Sequence, residues 1–119
     1  MDNNTIVRQA AVHARWVERL EAHVIESMND GCLSVEELAA KLKLSSRQLR
    51  RKLKQATGLA PVQFIRDLQL NAACKELDEG PPGSLADVAF RYGFKHQATF
   101  STLFKDRFGV SPSEYLRTQ

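Results

Sequence analysis

The chain has 119 residues, 43% apolar and 26% charged, which suits one compact domain or two small ones sharing a core and excludes a multidomain enzyme or a disordered chain. No apolar run nears the ~20 residues of a membrane span, and no secretory signal opens the chain, so a cytoplasmic location is expected. The net charge is +3, yet the eight basic residues between Leu38 and Arg66 meet no acid there, which marks a block suited to a polyanion.

Residues 1–15 are polar and without a strong pattern, and read as a linker or the edge of the chain. From 16 to 28, Trp16, Leu20, Val24 and Met28 recur every four positions, with Val17 and Ile25 widening the stripe, which predicts an amphipathic helix. The turn residues at 29–31 end it. Ser34 with Glu37 then forms a capping box, the hydroxyl taking an amide while the carboxylate reaches back. Val35, Leu38, Ala39 and Leu42 make the buried face of the helix that follows. A second box, Ser45 with Gln48, opens a helix that Gly58 closes, and Pro61 suits the first turn of the next. Residues 61–79 read as one helix of about 28 Å, stopped by the GPPG stretch at 80–83. Ser84 with Asp87 caps another short helix, a turn leads into one at about 96–107, and Ser111, Pro112 and Glu114 open a last short one. The fold class is therefore all-α, with about seven helices. The cysteines, Cys32 and Cys74, form no CxxC pair and suit reduced, buried thiols. His13, His23 and His96 fall at no ligand spacing, so neither metal nor cofactor is expected.

The second half repeats the first. Leu38 and Leu44 return as Val88 and Phe94. Leu49, Leu53, Gly58, Pro61 and Phe64 return as Phe100, Phe104, Gly109, Pro112 and Tyr115, with one residue added in the intervening turn. Each copy is a helix, a short turn and a second helix, the geometry in which the second helix enters the DNA major groove. The expected organisation is a first helix-turn-helix subdomain at 16–60, a linker helix at 61–79 and a second subdomain at 80–119. At 100° per residue, Arg47, Arg50, Arg51 and Lys54 fall within about 100° of arc, opposite Leu49, Leu53 and Ala56. A solvated surface helix ordinarily mixes signs; four like charges on one stripe repel unless an anion screens them. The equivalent face of the second copy, Ala98, Ser101, Thr102 and Lys105, is small and polar.

Over roughly residues 17–117 the sequence resembles the C-terminal DNA-binding domain of bacterial AraC/XylS-type transcription regulators. The resemblance is carried by DVAFRYGFKHQATFSTLFKDRFGVSPSEYLR, where Ala89, Gly93, Phe94, Phe100, Phe104, Lys105, Gly109, Pro112 and Tyr115 stand where the family pattern wants them. The first unit is similar to the output domains of hybrid two-component regulators. The resemblance implies two recognition helices entering successive major-groove segments, held apart by a rigid linker helix. It assigns base reading to Arg47, Arg50 and Arg51 and to Gln97, Ala98, Ser101 and Thr102. Arginine suits guanine O6/N7, while lysine suits phosphate, so Lys52 and Lys54 are expected on the DNA backbone, where Lys105 and His96 are placed as well. The capped helix starts at Ser34, Ser84 and Ser111 offer amides to phosphates as well. Two departures stand out. Ala98 and Thr102 are small where members often carry a large or charged reader, and Gln69 stands where a basic residue is frequent. Specificity is therefore expected mainly from the first unit, the second adding backbone contacts, shape readout or thymine-methyl contact.

An enzyme is disfavoured, since no paired carboxylates, nucleophile-base set or phosphate loop stands out. The remaining alternative is a helical interaction or adaptor module without DNA binding; exposed aromatics for stacking on RNA are lacking. Expected partners are a double-stranded DNA operator, RNA polymerase and a fused sensor or receiver domain absent from this sequence, with no membrane. An output domain of a longer protein is preferred to a small stand-alone regulator.

Overall fold

A computed structural model describes residues 3–28, 34–80 and 83–118. They form seven helices: α1 (Asn3–Ser27), α2 (Val35–Lys41), α3 (Ser46–Thr57), α4 (Pro61–Asp78), α5 (Leu85–Arg91), α6 (Gln97–Phe108) and α7 (Pro112–Arg117). No strand occurs among the described residues. The turn signal at 29–31, Cys32, Pro81 and Pro82 lie outside them.

Local chemistry sets the helix starts. Ser34, Ser45, Ser84 and Ser111 each accept a hydrogen bond from the amide three residues on, satisfying a donor the helix cannot pair internally. Only at Ser45 is the box reciprocal as expected, the Gln48 side chain accepting from the Ser45 amide at 2.8 Å. At Ser34 the Glu37 carboxylate instead accepts a hydrogen bond from the serine hydroxyl, at 3.1 Å. Gly58 (φ 81°) and Gly109 (φ 85°) end α3 and α6 in the left-handed region that glycine enters at least cost.

Two differences from expectation concern α1. The helix runs back to Asn3, through the segment read as a linker or chain edge; the alanines at 10, 11 and 14 favour helix. Its buried positions include Trp16, Leu20 and Val24, with Met28 buried just past its end, as the spacing requires, but Ile25 is 55% exposed. It lies 100° round from Val24, and Ser27 is the buried neighbour instead, its hydroxyl donating to the Val24 carbonyl at 2.9 Å.

Burial divides between two clusters. The first joins Trp16, Leu20, Val24 and Met28 to Leu38 and Ala39 of α2, Leu49 and Leu53 of α3, and Phe64 and Ile65 of α4. The second joins Leu70, Ala73 and Leu77 of α4 to Val88 and Ala89 of α5, Phe94, and Phe100 and Phe104 of α6. Each fully buried leucine or phenylalanine contributes about 1.5–3 kcal/mol of transfer free energy. The helix α4 thus gives its first half to one core and its second half to the other. Tyr92 packs against both, and the buried Gln69 donates to the Tyr92 carbonyl at 3.0 Å, tying α4 to the turn of the second unit.

Candidate nucleic-acid interface

The two helix pairs are built alike, down to their backbone hydrogen bonds. In the first, the amides of Lys43 and Leu44 bond the carbonyls of Ala40 and Ala39. In the second, those of Gly93 and Phe94 bond Phe90 and Ala89. Both are Schellman closures, with the left-handed residue at Lys43 (φ 59°) or Gly93 (φ 91°). Four residues separate α2 from α3 and five separate α5 from α6, in keeping with the one-residue insertion.

On α3 the structure brings together the residues that the stripe predicts. Arg47, Arg50, Arg51 and Lys54 are all exposed, while Leu49 and Leu53 opposite them are fully buried. The first turn of α3 holds no acid, so no carboxylate there offsets the positive helix start. Lys52 is placed differently from the other four. It is half-buried, with its ammonium 4.9 Å from the centre of the Trp16 ring, a cation–π contact that fastens α3 to α1.

The matching face of α6 is quieter. Gln97, Ala98, Thr102 and Lys105 are exposed and Ser101 half-buried, opposite the fully buried Phe100 and Phe104. Thr102 Oγ1 donates to the Ala98 carbonyl at 3.0 Å. His96 stands at the N-cap of α6 but makes no side-chain cap bond. Here too the first helical turn is free of acid.

The other expected phosphate positions are less open to anions. Ser34 and Ser84 are exposed, but Glu36 and Glu37 stand in the first turn of α2 and Asp87 in that of α5; Glu114 does the same on α7. Lys43 and Lys95, exposed lysines in the turns ahead of α3 and α6, lie outside the helical stripe. The Lys43/Gly93 equivalence was available from the internal repeat.

Behind these faces, α4 holds the second unit through acid partners. Glu76 Oε1 accepts from Arg91 and from the Tyr92 hydroxyl, and Asp78 accepts from the Tyr115 hydroxyl. Burial, then the Glu76 carboxylate, raises the Tyr92 phenol above its ordinary 10.0. The hydrogen bond to Asp78, then that to Cys74, raises Tyr115 further. Cys74 is half-buried, not enclosed. No group of three or more histidine, cysteine, aspartate or glutamate residues suited to a metal occurs among the described residues. No described helix is long and apolar enough to cross a membrane.

Comparison with known proteins places this geometry. Residues 38–118 match the family of the helix-turn-helix domain. The chain is 40% identical over 113 residues to the HTH-type transcriptional activator RhaS of Escherichia fergusonii, covering 95% of this chain and 37% of the relative. It is 43% identical over 79 residues to RhaS of Klebsiella pneumoniae, covering 66% of this chain and 28% of that one. The chain thus spans about a third of the length of the curated relatives it matches. Among solved structures it is similar to the C-terminal domain of AraT, a response regulator from Geobacillus stearothermophilus. The TM-score there is 0.77 at 29% identity, over 87% of this chain and 84% of that one. It is also similar to the DNA-binding domain of AdpA, solved with a target DNA, with TM-score 0.77 and 28% identity over 85% and 89%.

Proposed function

The chain belongs to the AraC-type family of helix-turn-helix transcription regulators, as a DNA-binding domain and not as an enzyme, and from that premise we propose how it reads DNA. The observation that carries the reading is the acid-free stripe of Arg47, Arg50, Arg51 and Lys54, exposed on α3 and backed by the buried Leu49 and Leu53. A major groove about 12 Å wide admits one helix with such a polar outer face. Arg47, Arg50 and Arg51 address guanine O6/N7, each good bidentate pair discriminating by about 1–3 kcal/mol. Gln97, Ala98, Ser101 and Thr102 of α6 face the next groove segment. Lys54, Lys105 and His96 position the duplex by its phosphates, which carry no sequence information. Lys52 is left to hold α3 on α1, and Ser34 and Ser84 to cap their helices.

The whole protein's activity goes further than the domain. RhaS is named as a transcriptional activator, and we read this chain as the output part of a cytoplasmic regulator whose sensing part is a separate domain. RNA polymerase is the proposed partner of the DNA-bound state.

The test is charge reversal. Arg50→Glu with Arg51→Glu abolishes binding to a duplex selected from random sequence by the unaltered domain, with helical content and melting temperature nearly unchanged. Loss of folding in that variant, or binding that survives it, removes the stripe from the interface.

A further inference from the structure

We infer that the second recognition helix reads thymine through its C5-methyl group, with Thr102 and Ala98 as the reading surface. The inference rests on the proposed docking of α6 in a major groove and decides what so small a face can recognise there. Three observations lead to it. First, α6 is seated in the same frame as α3, with Phe100, Phe104 and Gly109 in the places of Leu49, Leu53 and Gly58. Ala98 and Thr102 therefore stand where α3 presents Arg47 and Arg51. Second, the Thr102 hydroxyl spends its single proton on the Ala98 carbonyl. What remains for a base is lone pairs and a methyl group, and Ala98 offers only a methyl. Third, both residues are exposed, and four positions apart on a helix they share one face.

In the major groove thymine alone displays a methyl, and alanine and threonine methyls are its natural contacts. Gln97, adjacent to Ala98, carries an amide that suits adenine N6/N7. Both chemistries favour A·T pairs. The second groove segment is thus an A·T-selective half-site read by shape of surface and methyl contact, where the first is read by guanidinium hydrogen bonds.

The experiment removes one methyl at a time. In a duplex selected by the 119-residue domain, each thymidine is replaced by deoxyuridine and the affinity measured. At one or two positions whose base preference survives Arg50→Ala, affinity falls about fourfold, the worth of one buried methyl. That fall disappears in Thr102→Ser, which retains a hydroxyl able to bond the Ala98 carbonyl and deletes only the methyl. If no thymidine outside the Arg50-dependent positions shows a penalty, the inference is overturned while DNA binding by α3 stands. A penalty that both Thr102→Ser and Ala98→Gly leave intact overturns it equally. If the domain enriches no sequence at all, the DNA reading itself fails and takes this one with it.

Discussion

Lys43 is the one described residue other than glycine with a positive φ, at 59°, and its counterpart in the second unit is Gly93 at 91°. The two stand at the same place in matching helix-end closures, so the repeat compares lysine and glycine in the left-handed region. A side chain in the left-handed region costs about 1–2 kcal/mol. Glycine costs roughly 0.5–1 kcal/mol in extra unfolded-state freedom. The first effect is the larger, so Lys43→Gly raises thermal stability by up to about 1 kcal/mol, and Gly93→Ala lowers it by a similar amount. Melting of the two variants measures both. The strained lysine stands exposed in the turn ahead of the arginine stripe, and Lys43→Gly also reports whether its charge contributes to DNA affinity. The tyrosines make a second residue-scale prediction. Tyr92 and Tyr115 are raised above 10.0 in the folded chain, so the unfolded chain sheds these protons first. Their stabilisation is whole below pH 10 and is lost as pH climbs through the folded values. Denaturant midpoints hold steady through neutral pH and fall on the alkaline side, and Tyr115→Phe makes that fall shallower.

At the scale of elements, α3 and α6 share length, buried face and glycine stop but differ at the start. Ser45 closes a reciprocal capping box, whereas His96 makes no side-chain cap bond. Ser45→Ala therefore costs about 1 kcal/mol, and His96→Ser gains up to about 1 kcal/mol by supplying the missing acceptor. Chemical denaturation of each variant checks the pair, and equal effects of opposite sign would show that the two helix starts are interchangeable. The same contrast explains what was legible in advance. Caps, glycine stops and the α3 stripe are local, resting on side chains within a few residues of one another, so their spacing announces them. The seven-helix order and the internal repeat follow from such signals. Contacts across the fold have no such trace. Lys52 reaching Trp16, Gln69 bonding the Tyr92 carbonyl and Ile25 left uncovered all depend on where another helix comes to rest. The left-handed Lys43 escapes for another reason, since lysine carries no turn signal and only its alignment with Gly93 betrays the conformation.

At the scale of the molecule, the question is whether both units meet one duplex together. Successive major-groove segments on one face of DNA lie roughly 34 Å apart, so both are met at once only if the two units are held in a fixed relation. Both halves of α4 are locked into cores, Phe64 and Ile65 in the first and Leu70, Ala73 and Leu77 in the second. Gln69 adds a polar strut to the second unit and the Arg107–Asp67 pair, at 3.8 Å, a weak surface one. The two recognition helices are thus offered as one body, and on the proposed reading docking of α3 would bring α6 to the next groove without further ordering. Salt dependence reads this out. Binding through phosphates falls with salt at a slope of about −0.9 per neutralised phosphate. Lys54 and Lys105 are equivalent positions on the two helices, both exposed. If both units dock, Lys54→Gln and Lys105→Gln each flatten the slope by about 1, weaken all sequences alike, and add in the double variant. If α3 alone docks, only Lys54→Gln changes the slope. Measured on one selected duplex across a salt series, the Lys105→Gln result decides whether α4 delivers a second reader or merely completes the fold behind the first.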